Sequence, residues 1–136
     1  MVVIARRLPR RVNAEIRRTL GLPAPGKYGN EVVKLDGYTF QSLKERDRYL
    51  VLLMRQKTKL ITDLKVHPRF EFQVNGKKIG SYTADFSYLE ISGTGLDKEA
   101  ELVVEDVKSQ PTMTRTYRRN KKLMLAIYEI EVREIV

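Results

Sequence analysis

The chain has 136 residues, 42% apolar and 32% charged, which suffices for one compact domain with a real core. It contains no cysteine and one histidine, His67, so disulfides, thiolate zinc centres and multi-histidine sites are excluded; carboxylates are the ligands present in number, and they favour hard ions such as Mg²⁺ or Mn²⁺. Lys and Arg total 26 against 17 Asp and Glu, a net charge of +9, and so positive a balance in a small chain points to a polyanion, most often nucleic acid.

The first 26 residues read as a basic arm. Residues 1–30 carry seven basic side chains against one acid, Glu15. Asn13 caps a short helix expected over 14–20, Gly21 ends it, and the Pro-Ala-Pro-Gly run at 23–26 forms a stiff linker. No apolar signal region follows Arg6 and Arg7, and no apolar run approaches the ~20 residues of a transmembrane helix. A cytoplasmic protein with no membrane partner is the expectation. Residues 27–136 form the single domain.

That domain opens with Lys27-Tyr28-Gly29-Asn30 and a hairpin over 32–40 turning at Asp36-Gly37, the strongest short-range hairpin signal. A helix then runs from Ser42 to about Gln56, with Leu43, Leu50, Leu53 and Met54 as its expected buried stripe. Glu45 stands where a capping box with Ser42 wants a carboxylate, and equally on the flank of the stripe, facing whatever packs beside the first turn. Both readings stay open.

Strands are expected over 60–66, 70–74 and 81–90, with a turn at Asn75-Gly76. In the third, Tyr82, Ala84, Phe86 and Tyr88 share one face, and Asp85 falls in mid-strand on the other. A buried carboxylate there needs a partner or a cation. Residues 91–100 read as a loop, and 102–108 as a central strand pairing with 81–90. Asp106 and Lys108 project from the same face of it, about 7 Å apart at roughly 3.3 Å per residue, a seat for a divalent cation and an activated water. Asp63-Leu64-Lys65 repeats the Asp-X-Lys pattern and reads as a solvated strand face. His67, before Pro68 at a strand junction, reads as an ordinary side chain. A helix over 117–128 follows, with Tyr117, Met124, Ile127 and Tyr128 towards the core. Arg115, Arg118, Arg119, Lys121 and Lys122 form a basic cluster with no acid among them. A last strand spans 130–135.

Taken together, Lys-Tyr-Gly-Asn at 27–30, Ser-X-X-Glu at 42–45, Ala-Asp-Phe at 84–86 and Val-Glu-Asp-Val-Lys at 104–108 resemble the PD-(D/E)XK nuclease superfamily, closest to Holliday junction resolvases of the phage and archaeal type. The resemblance covers residue 27 to the C-terminus, and departs from the pattern where Ala84 stands in place of proline. It implies an α/β chain with a restriction-endonuclease-like core: a mixed central β-sheet flanked by helices, with the basic arm attached. It implies Mg²⁺, for which Mn²⁺ would substitute, held by Asp85, Asp106, the Val107 carbonyl and Glu45, with Lys108 orienting and helping to deprotonate the attacking water. Glu105 points to the opposite face and is left out. Lys121 or Lys122 would contact the scissile phosphate, Lys27, Tyr28, Arg115 and Arg118 the backbone elsewhere. The implied activity is a homodimeric, structure-selective DNA endonuclease cutting four-way junctions symmetrically, with no small-molecule cofactor. A nuclease of the same fold acting on flaps or other branched DNA, and a non-catalytic basic nucleic-acid binder, are the alternatives.

Overall fold

The computed structural model describes residues 31–109 and 112–136. The expected arm, its helix, the linker, and Lys27 and Tyr28 lie outside the described residues, as do Gln110 and Pro111. The chain divides into two compact units, Met1–Leu43 and Lys44–Val136. In the first, β1 (Val33–Leu35) and β2 (Tyr38–Phe40) pair antiparallel around Asp36 and Gly37. Both turn residues have positive φ, 52° and 81°, as the hairpin turn that matches strand twist requires.

The second unit is built on helix α1 (Leu43–Lys57) and a mixed sheet of four strands. These are β3 (Ile61–Val66), β6 (Phe86–Ser92), β7 (Glu99–Val107) and β8 (Arg133–Ile135), adjacent in that order. Pairing is antiparallel except between β7 and β8, which run parallel. A parallel neighbour needs a crossover, and helix α2 (Arg115–Tyr128) supplies it. Strands β4 (Arg69–Val74) and β5 (Lys77–Thr83) form a separate hairpin turned at Asn75 and Gly76.

Alternation along β7 sorts the two helices onto opposite faces of the sheet. Val104 joins Phe72, Tyr82, Ala84, Tyr117, Met124 and Val132 in a core shared by the β4–β5 hairpin and α2. One residue on, Glu105 points the other way and is bound by Arg48 of α1. On that side Tyr49 stacks on Phe86 with ring centroids 6.4 Å apart.

Four expectations are corrected. The strand over 81–90 breaks at Ala84–Asp85 into β5 and β6, so Tyr82 and Ala84 face α2 while Phe86 packs under α1. The loop over 91–100 shrinks to a turn containing a short 3₁₀ segment, Gly95–Asp97, because β6 and β7 both extend into it. Gly93 makes that turn possible: its φ is +82°, and a Cβ there would lie 2.2 Å from the Asp97 carbonyl oxygen. Helix α1 buries Glu45, Arg46, Tyr49 and Leu52 rather than the expected leucine stripe, and Met54 is 69% exposed. Polar partners inside the fold rotate the helix so that Glu45 and Arg48 turn inward. Tyr128, expected in the core, is 40% exposed at the rim, its ring edge-on to Phe70 and its hydroxyl donating to the Glu71 carbonyl. Asp63 and Lys65 are exposed 3.6 Å apart, a solvated face as expected. No helix among the described residues is long and apolar enough to cross a membrane.

Candidate functional site

The sheet's registers bring the chemistry together at one end. The β3–β6 ladder closes on Val66 opposite Phe86, so His67 and Asp85 come next across it, and the His67 N–H donates to the Asp85 carbonyl at 2.9 Å. The β6–β7 ladder closes on Phe86 opposite Glu105, which puts Asp106 beside Asp85. Their carboxyl groups crowd one another closely enough for each to perturb the other. The Val107 N–H donates to Asp85 Oδ2 at 2.7 Å, and the Tyr82 hydroxyl donates to Asp106 Oδ2.

Two residues beyond Asp106, on the same face, Lys108 holds its Nζ 3.8 Å from Asp106 Oδ2 and 4.1 Å from the centre of the Tyr117 ring. Ring and carboxylate together fix the ammonium over the site. The Lys44 ammonium, from the start of α1, donates to the Lys108 carbonyl at 3.1 Å. In the first turn of the same helix, Glu45 is buried with Oε1 2.8 Å from His67 Nε2. Ligand atoms of Glu45, His67 and Asp85 all lie within 4.8 Å of one another.

Burial and crowding govern the electrostatics. Burial raises the Asp106 carboxyl to about 8, with repulsion from Asp85 adding to it. Burial likewise raises Asp85, against the opposing effects of the Asp106 hydrogen bond and the Val107 amide. Both carboxyls therefore hold a proton more tightly than a free carboxyl does. The Tyr82 phenol, buried against the same carboxyl, is pushed far above its ordinary range and stays a donor.

Glu45, Asp85, Asp106 and Lys108, the expected catalytic set, thus converge, and Val107 touches Asp85 through its amide. Glu105 lies outside the group: its oxygens accept from Arg48 at 2.6 and 2.9 Å and from the Tyr88 hydroxyl at 2.7 Å. On α2, Arg115, Arg118 and Lys122 are exposed. Lys121 is half-buried and pairs with Glu134 at 2.8 Å, which holds that carboxyl below its usual range, and the Tyr117 hydroxyl donates to the same oxygen at 3.1 Å. A phosphate approaching Lys121 would compete with Glu134.

Three members of the site escaped the sequence reading. His67 was legible in principle: it is the sole histidine, and pairing 60–66 against 81–90 with Val66 opposite Phe86 sets it across from Asp85. Tyr82 and Tyr117 read as core aromatics because their rings are core; their hydroxyl bonds carry no sequence pattern.

Comparison with known proteins adds a family and no neighbour: no curated protein and no solved structure matches the chain. Residues 25–135 match a family described as "Protein of unknown function (DUF1064)", a span that contains every residue of the site. The chain belongs to that family.

Proposed function

We propose that the protein is a metal-dependent, structure-selective DNA endonuclease of restriction-endonuclease-like fold, acting as a homodimer on four-way junctions. The observation that carries this reading is the meeting of Asp85, Asp106 and Lys108 at one end of the sheet, with Glu45 alongside. The buried Asp106 and half-buried Asp85, with one lysine beside them, are short of positive charge. An all-oxygen set of carboxylates with a backbone carbonyl is what Mg²⁺ or Mn²⁺ selects, so the residues fit a hard divalent ion.

Asp85, Asp106, the Val107 carbonyl and Glu45 would hold it, and when bound it offsets charge developing on the phosphate and acidifies a coordinated water. The remaining work falls to the chain. Lys108 orients the attacking water by hydrogen bonding, its ammonium held by the Tyr117 ring and Asp106. Tyr82 fixes the Asp106 carboxyl by donating to it, and the Val107 amide does the same for Asp85. Each aspartate must be deprotonated to act as a ligand, and burial opposes that until the ion is bound. Arg115, Arg118 and Lys122, exposed on α2, supply charge for backbone phosphates, which position DNA without reading its sequence.

The test is cleavage of a labelled four-way junction against a linear duplex of the same arms, with Mg²⁺ and with EDTA, for the wild type and Asp106→Asn. Paired symmetric nicks on the junction alone, lost with EDTA and with the variant, are expected. Cutting of every substrate would keep the nuclease and remove the junction. Salt-sensitive binding without cleavage would leave a basic nucleic-acid binder.

A further inference from the structure

The histidine is left unused by that reading. His67 follows β3 with φ of 54°, and its backbone is tied on both sides: its N–H donates to the Asp85 carbonyl at 2.9 Å, and the Pro68 carbonyl accepts from Ala84 at 3.0 Å. These bonds lock the junction of β3 and β4 against the break between β5 and β6. The imidazole consequently stands between α1 and the sheet end, 2.8 Å from Glu45 Oε1 and within 4.8 Å of an Asp85 oxygen. Its side chain is 35% exposed, so the position is open to solvent.

We propose that Glu45, His67 and Asp85 form a mixed nitrogen–oxygen metal site that takes a transition ion such as Mn²⁺ in preference to Mg²⁺. Two carboxylates and an imidazole make a ligand set that differs from the all-oxygen seat of Glu45, Asp85 and Asp106 by the nitrogen of His67. The chemistry differs too. Imidazole nitrogen is a good ligand for first-row transition ions and a poor one for Mg²⁺, which demands oxygen and sheds its waters reluctantly. Glu45 and Asp85 belong to both sets, so His67 is what distinguishes this site, and the two carboxyl oxygens of one residue can face two neighbouring ions. The contact between His67 and Glu45 also fixes the ring's orientation before any ion arrives. The site stands whether or not the chain cleaves DNA, since it requires only these three side chains.

The experiment uses the full chain without DNA. Mn²⁺ is titrated into the wild type, His67→Asn and Glu45→Gln, affinity is read from the free Mn²⁺ signal, and bound Mn²⁺ is examined by electron spin-echo spectroscopy for coupling to nitrogen. Mg²⁺ affinity is measured by competition. Asparagine tolerates the left-handed backbone that position 67 requires, so the variant keeps its fold, and thermal unfolding in EDTA checks this. Loss of a residue that merely orients a ligand weakens metal binding by about 10- to 100-fold, and loss of the ligand itself should do no less. The wild type is expected to show imidazole nitrogen coupling that vanishes in His67→Asn, with Mn²⁺ affinity down at least about tenfold and Mg²⁺ affinity changed less than about threefold. In Glu45→Gln, Mn²⁺ should bind more weakly but keep the nitrogen coupling. Wild-type Mn²⁺ without nitrogen coupling would overturn the proposal and leave His67 as a group that positions Glu45. An equal loss of Mn²⁺ and Mg²⁺ in His67→Asn would overturn the selectivity.

Discussion

Asp106→Asn should stabilise the metal-free protein while abolishing the cleavage proposed for it. In the native state the Asp106 carboxyl titrates at about 8, and in the unfolded chain near 3.8. A carboxyl raised by folding contributes fully below its unfolded value, and that contribution is lost as pH rises towards the folded one. At pH 7 the native state must keep a proton that the unfolded chain has released. At 1.36 kcal/mol per unit over the interval from 3.8 to 7, this is an upper bound of about 4 kcal/mol, of which relaxation and entering water should leave on the order of 2. Asparagine has the same shape, needs no proton, donates an amide to Asp85 and still accepts from Tyr82. A gain of that size raises the melting temperature by roughly 5–10 °C for a domain of this length. The assay is thermal unfolding followed by circular dichroism in EDTA at pH 5, 7 and 8.5. The difference between variant and wild type should widen with pH, and added Mn²⁺ should stabilise the wild type more. A variant less stable than wild type at pH 8.5, or a gap that does not grow with pH, would refute the view of Asp85 and Asp106 as an under-compensated pair.

Lys108→Met should lower junction cleavage by at least about 10²-fold while changing junction and Mn²⁺ dissociation constants by less than about threefold, measured by single-turnover cutting and by titration. Glu105→Ala should cost about 3–5 kcal/mol in denaturant unfolding, because it leaves the half-buried Arg48 without its carboxylate, yet leave Mn²⁺ affinity unchanged. Arg118→Ala should weaken binding to junction and duplex alike and reduce the slope of log affinity against log salt by about one, read by fluorescence anisotropy across salt concentrations.

What the sequence made legible was local. Asp36-Gly37 and Asn75-Gly76 announce their hairpins because few other dipeptides accept two successive positive φ angles, and both turns are present. The Asp-Val-Lys end of β7 reads correctly because alternation is a property of one strand alone. The misreadings share a different origin. The stripe of α1 was assigned by apolar character, but the face that turns inward is chosen by Glu105, 57 residues beyond Arg48, and no window on the helix contains that information. Similarly, Tyr-Thr-Ala-Asp-Phe-Ser-Tyr alternates without interruption, so nothing in its pattern marks the break at Ala84–Asp85. The break follows from Ala84 donating to the Pro68 carbonyl and Asp85 accepting from the His67 N–H, a tertiary pairing. His67 was discounted for the same reason: alone it resembles any histidine, and only the β3–β6 register makes it a neighbour of Asp85.

Adjacent positions in β7 show why burial by itself does not identify a functional acid. Glu105 is 0% and Asp106 3% exposed, so each faces the same desolvation penalty, and alternation sends them to opposite faces of one strand. Glu105 meets a forked guanidinium in bidentate contact and a phenol, so its charge is matched inside the fold. That is the signature of a carboxylate held for structure. Asp106 meets another carboxyl, a phenol, and an ammonium at 3.8 Å that is shared with an aromatic ring. Its site is short of positive charge, and burial with repulsion from Asp85 raises its carboxyl to about 8. A core selected for stability alone would replace either aspartate with an amide or an apolar residue, since removing a half-compensated charge usually stabilises. On the reading proposed above, that deficit makes Asp85 and Asp106, rather than Glu105, the pair that a cation from outside would complete.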